Sequence, residues 1–225
     1  MSIKRIKLDD RNLPNYTRKE DMFNMITHIV GGGFGILALL LCCGFAIYRH
    51  NWWGLAGGFV YGVSMIFLYT MSSVYHGLRP NRAKKVLQVL DHCTIYALIV
   101  GSYVPILLTK LREYDLKLTL ILSAAAIIIT AVGVTFTAID HKTYAIISYS
   151  CYFLLGWMAI FAVKPIIAAF GMEFFLWLLS GGIAYTLGMI FYVLGRKHHY
   201  IHGVFHLFIL LGSILQFVAI FKFCI

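Results

Sequence analysis

His202 and His206 stand four residues apart, so on a helix both imidazoles project from one face, with the spacing that lets two nitrogens grip one metal ion. His76 is the third candidate ligand. Three imidazoles leave a fourth tetrahedral position open for water, the arrangement of a catalytic rather than a structural zinc site. Asp91 is then placed to bind that water or act as a general base, and Ser72, one helical turn from His76, is placed to donate to a substrate carbonyl or a developing oxyanion. Ser73, offset by one position, is the weaker candidate.

These residues sit in a chain that must cross a membrane. Of its 225 residues 60% are hydrophobic and only 12% charged, with a mean hydropathy of +0.82, outside the range of soluble domains. Seven apolar segments, 22–48, 54–76, 87–109, 117–139, 143–163, 173–195 and 201–224, each approach the about 20 residues that span a bilayer. The expectation is an all-α integral membrane protein of seven transmembrane helices, preceded by a basic segment over 1–21. Long unbroken apolar runs such as 118–138 exclude a β-barrel, whose strands alternate. Asp and His inside such spans are costly and usually functional.

Lysine and arginine divide unevenly across this topology. Lys4, Arg5, Lys7, Arg11, Arg18, Lys19, Arg79, Arg82, Lys84, Lys85, Lys142, Arg196 and Lys197 share the side of the N-terminus; Arg49, Lys110, Arg112, Lys117, Lys164 and Lys222 take the other. The positive-inside rule then puts the N-terminus in the cytoplasm and the C-terminus outside. The net charge of +10 reads as membrane orientation, with no nucleic-acid partner expected. In this arrangement His76 ends the second helix while Asp91, His202 and His206 lie in the first cytoplasmic turns of the third and seventh. At 1.5 Å per residue, about 33 Å separates Gly54 from His76 and about 27 Å separates Asp91 from Thr109, so the four share one layer.

Other polar and small residues have plainer readings. His50, His141, His198 and His199 are expected to be interfacial, with rings half in the headgroups. His28 is the exception: it shares a helix face with Glu20 and Asn24 and is expected to support the site from behind. His92 is expected to point about 100° away from Asp91, off the site. Gly31-x3-Gly35 and Gly58-x3-Gly62 read as helix-packing faces. Pro105 should kink or end the third helix and Pro165 end the fifth. The five cysteines show no CxxC spacing and read as packing residues, and Trp52 and Trp53 read as interfacial anchors.

Ser72-x3-His76, the run Leu90-Asp91-His92-Cys93-Thr94-Ile95-Tyr96 with Gly101-Ser102-Tyr103-Val104-Pro105, and His202-x3-His206 together resemble the hemolysin III family. That family is the bacterial branch of the progestin and adiponectin receptor superfamily, and the chain is more distantly similar to the alkaline ceramidases. Glu20, Asn24 and His28 also look like its N-terminal pattern. The resemblance implies seven helices in the cell membrane and zinc on His76, His202 and His206, with Asp91 acting through water. It also implies a cytoplasmic-side cavity open to lipid and hydrolysis of lipid amides. A zinc-dependent hydrolase of membrane lipid amides or esters is the expected function, with membrane lipids as substrate or ligand. The alternatives are a sensor or receptor with a structural zinc and, last, a pore-forming cytolysin; helices four to six carry too few polar residues for a pore or transporter.

Overall fold

The computed structural model describes residues 6–195 and 198–225; Lys4, Arg5, Arg196 and Lys197, counted above toward topology, lie outside the described residues. The chain is all-α, with no strand among the described residues, and seven helical segments are long and apolar enough to cross a membrane. Hydrocarbon offers the backbone no hydrogen-bond partner, so apolar spans of this length must close their bonds internally, as helices do.

The helices are α1 (Arg18–Tyr48), α2 (Trp52–Gly77), α3 (Arg82–Leu108), α4 (Lys110–Tyr114), α5 (Leu116–Asp140), α6 (Ala145–Gly156), α7 (Val163–Phe170), α8 (Met172–Leu194) and α9 (Ile201–Phe223). Their starts follow local chemistry. Thr17 and Glu20 form a reciprocal capping box at α1, and the side chains of Asn51, Asn81 and Asp115 accept from backbone N–H groups in the first turns of α2, α3 and α5. Each cap satisfies an orphan donor and contributes about 1 kcal/mol.

The fifth span is broken. A 3-10 segment over Met158–Ala162 separates α6 from α7, and the span runs on to Phe170 before Gly171 turns it at φ 91°. Pro165 therefore does not end this span: it is the third residue of α7, where its missing N–H would have had no helical partner anyway. Pro105 lies inside α3, three residues before its end.

Packing runs α9–α1–α2–α3, with α3 also against α5 and α6, and α8 against α9. The glycine faces serve the expected purpose: a Cβ on Gly31 would come within 2.5 Å of the Tyr69 ring, and one on Gly62 within 2.6 Å of Leu39. Buried tyrosines knit the helices through their hydroxyls. Tyr61 donates to the Ser213 carbonyl (3.0 Å), Tyr96 to that of Ser148 (3.2 Å), and Tyr152 to that of His92 (2.7 Å). Such bonds hold helices together where apolar burial cannot, since lipid is as apolar as the side chains. α6 and α8 stand apart, bridged by Trp157 Nε1 donating to Thr186 Oγ1 (3.1 Å) and by the Tyr149 and Tyr192 rings 5.9 Å apart.

The space they leave is a cavity of about 1510 Å³ running between α3, α6, α8 and α9. Its ionisable lining, Asp91 with His202 and His206, gathers with Ser72 at one end; toward Ile106 and Leu178 it is mostly apolar, with Gln216 donating to the Leu178 carbonyl at 3.3 Å. Phe153, Ile190 and Val193 line it and are also about half exposed on the outer surface of the bundle, so the cavity opens sideways between α6 and α8.

Candidate metal centre

His76, His202 and His206 each offer a ring nitrogen, and the three atoms lie within 4.8 Å of one another. They come from the last turn of α2 and the first two turns of α9, and His76 and His206 are almost fully buried. Among the described residues this is the one group of three or more metal-capable side chains that converges so closely.

The partners on the other side of each ring set which nitrogen is bare. His76 Nδ1 lies 2.9 Å from Asp21 Oδ1, and a carboxylate only accepts, so Nδ1 carries the proton and Nε2 a lone pair. That Nε2 is buried and has no hydrogen-bond partner among the described residues. His206 Nδ1 lies 3.2 Å from the Asn24 carbonyl and 3.3 Å from Thr27 Oγ1, whose own proton goes to the same carbonyl at 2.8 Å. Its Nδ1 is therefore protonated as well, and its bare Nε2 faces His202 Nε2 at 3.2 Å. Two lone pairs at that separation repel unless a proton or a cation stands between them. Three converging imidazole nitrogens, two with protonated far sides held by oxygen acceptors, are the donor set and supporting shell of a zinc site, so the residues fit that ion.

Asp21 is the functional residue the sequence reading missed. Its second oxygen takes Lys84 Nζ at 2.6 Å, and Lys84 also donates to the Leu78 carbonyl at 3.0 Å. Both side chains are buried, which is tolerable because the charges are paired and hydrogen-bonded. Lys84 thus lies inside the bundle rather than in a loop as a topology signal alone. The available clue was an acidic pair, Glu20 and Asp21, at the threshold of an apolar run.

Glu20 itself works on the approach to α9. One oxygen accepts from the Thr17 backbone (2.8 Å) and hydroxyl (2.7 Å), the other from His199 Nδ1 (3.1 Å) and the Tyr200 N–H (3.0 Å). Tyr200, at φ 62°, occupies the left-handed region that non-glycine residues avoid, and Glu20 ties it there, fixing where α9 and its two histidines begin. His199, expected to be merely interfacial, is thereby part of this clamp, and His198 lines the cavity. At Gly203 a Cβ would meet the Phe23 ring at 2.3 Å, so only glycine lets α9 come this close to α1.

The remaining expected residues divide. Asp91 and Ser72 both line the cavity, at the end where His202 and His206 lie. Asp91 is outside the converging trio, and it is the tenth residue of α3 rather than in its first turn, because α3 starts back at Arg82. Ser73 turns away, donating to the Tyr69 carbonyl of its own helix at 2.6 Å. His28 stacks on His206, ring centroids 3.6 Å apart, with both nitrogens buried and without hydrogen-bond partners among the described residues.

Two expectations about neighbours are overturned. His92 does face the cavity: its Nδ1 meets the Gln88 carbonyl at 2.7 Å and its Nε2 the Tyr192 hydroxyl at 3.3 Å. Asp91 and His92 are consecutive and about 100° apart around α3, and both line a cavity wide enough to take more than one helix face. His141 is buried rather than interfacial, its ring 4.6 Å from that of His92.

Comparison with known proteins agrees with the motifs. The Haemolysin-III related family model matches residues 16–217. The chain is 34% identical to the Hemolysin-3 homolog of Bacillus subtilis (strain 168) across 93% of this chain and 97% of that protein. It is 36% identical to Hemolysin-3 of Bacillus cereus across 90% of each. It is 25% identical to the human Monocyte to macrophage differentiation factor across 76% of this chain and 71% of that one. No solved structure matches it significantly. Motifs, seven membrane helices and near full-length similarity together make this chain a member of the haemolysin-III-related family of multi-pass membrane proteins.

Proposed function

We propose that this protein is a zinc-dependent hydrolase of membrane lipid amides or esters, with its N-terminus in the cytoplasm and its substrate entering sideways from the inner leaflet. The observation that carries the reading is the juxtaposition of three converging histidine nitrogens with a carboxyl group at one end of a mostly apolar cavity between the helices. The thirteen lysines and arginines on the amino-terminal side, against six on the other, support the orientation.

A zinc ion on His76, His202 and His206 would supply a Lewis acid that polarises a carbonyl oxygen and acidifies water. Asp91 is the proton acceptor. It is close enough to share the cavity end and is not spent as a ligand in the trio. Ser72 has one proton to give: donated to Asp91 it orients the carboxylate, and turned toward the substrate it stabilises a developing oxyanion. Apolar walls accept the acyl chain and keep bulk water from the reacting carbonyl.

Metal analysis and a fluorescent acyl-amide assay in detergent micelles test this together. Asp91→Asn and Ser72→Ala are expected to keep zinc and fold but to lose about 10²–10⁴-fold in turnover, the usual cost of a general base or an oxyanion donor. A wild type that binds zinc yet shows no zinc-dependent turnover on amide or ester lipids overturns the hydrolase reading, leaving the metal as a clamp between α2 and α9.

A further inference from the structure

The amino-terminal arm does not trail along a lipid surface. Leu8–Asp10 form a 3-10 turn packed on α3, where the Asp9 carboxylate lies 3.4 Å from Arg82 Nε and the Asp9 carbonyl accepts from Lys85 Nζ at 2.6 Å. The chain then crosses to the far side of the cavity mouth. Arg11 is buried there, its guanidinium donating to the carbonyls of Ala138 and Ile139 at the end of α5, and Lys142 Nζ donates to the Asn12 carbonyl at 2.5 Å. From that anchorage Pro14, Asn15 and Tyr16 return along the cavity to the Thr17 cap of α1. Tyr16 ends up over the histidines. Its ring is stacked on His202 with centroids 5.1 Å apart and 27° between planes, and lies 5.8 Å from His76.

Three properties of this strap matter. It is fastened on two separate walls, α3 and the α5–α6 connection, with its span between them over the polar end of the cavity. Apart from the buried Arg11, its fastenings are polar contacts at the surface, weaker than the apolar packing of the bundle and therefore the first to open. Its contact with the centre is through the Tyr16 ring, against the His202 and His76 imidazoles, while Asp21 and the Asn24 carbonyl hold His76 and His206 from the other side.

We infer that residues 6–16, hinged at the Thr17 cap, are a lid, with Tyr16 as its seal, that closes the histidine centre toward water. Lipid reaches the centre through the gap between α6 and α8, whereas ions and water-soluble products pass only when the lid lifts. The ion-exchange part of this inference rests on the metal reading above.

The test uses the full chain in detergent, loaded with zinc and then mixed with excess chelator. Tyr16→Ala is expected to release zinc about 3–10-fold faster, the worth of one aromatic pair. Arg11→Ala, far from the metal, is expected to speed release about tenfold by loosening the charged anchor. All three proteins are expected to hold equal zinc beforehand. Equal release rates in all three overturn the lid. A metal-free measurement separates it from the zinc reading: a small charged thiol reagent should modify Ser72→Cys faster when Tyr16→Ala is added, counted over the same chain without Ser72→Cys. If the wild type binds no zinc, the metal reading falls and this second rate alone decides the lid, an unchanged rate overturning it.

Discussion

Two groups of histidines share one end of the cavity, and they are built differently. His76, His202 and His206 converge on a point, with the far nitrogens of His76 and His206 held by Asp21 and by the Asn24 carbonyl. His92 and His141 lie ring against ring at 4.6 Å, but His92 spends Nδ1 on the Gln88 carbonyl and Nε2 on the Tyr192 hydroxyl. Proximity of imidazoles is common to both. What separates them is the number of lone pairs aimed at one point and the fixed protons behind them, because a metal needs three bare nitrogens together rather than several rings nearby.

The sharpest way to break that distinction is to delete one ring from each group. His202→Ala and His76→Ala are expected to lose stoichiometric zinc, because two ligands cannot sustain a tetrahedral grip, while His92→Ala and His141→Ala keep it. Zinc analysis of the purified proteins decides. If His92→Ala empties the site, the boundary between the groups is drawn in the wrong place.

Asp21 sharpens the comparison at smaller amplitude. Asp21→Asn leaves the three ligands in place and removes the carboxylate behind His76, so zinc should still bind but about 10–100-fold more weakly in a competition titration. An unchanged affinity would mean that Asp21 serves its ion pair with Lys84 rather than the metal.

The least effect is expected from acid on the second group. Burial, with His92 beside it, pushes His141 down to about 3. An unfolded histidine titrates near 6.5, so between these values the unfolded chain binds one proton more than the folded one, and stability falls as pH drops below about 6.5. His141→Phe keeps a ring in place and removes this proton, and should reduce the loss of stability between pH 7 and 5 by about 2 kcal/mol. Thermal unfolding in detergent at both pH values measures it; parallel behaviour of the two proteins would show that His141 accepts a proton without unfolding.

Much of the centre was legible along the chain because its ligands obey helical spacing. His202 and His206 share a face by being four apart, and His76 sits at the end of a span whose length sets its depth. Asp21 and Lys84 were not legible, because their value lies in a meeting of α1, α2 and α3 that no local pattern encodes. His141 sits where a span ends and so reads as an interfacial ring; it is buried because α3 and the amino-terminal arm pack against that turn. Pro165 misleads for a local reason, since in the first turn of α7 the residue costs no hydrogen bond.

Composition and periodicity by themselves determined seven membrane helices, their approximate limits and the identity of the three converging histidines, because the bilayer dictates span length and the helix dictates which residues share a face. Only the tertiary structure decided which histidine nitrogens are bare, that α6 and α8 part to leave a cavity, and that the basic arm folds back over its mouth. Those features depend on where hydrogen-bond acceptors from distant helices come to rest. That is fixed by packing among residues such as Gly31, Gly62 and Gly203 rather than by the order of residues along any one helix.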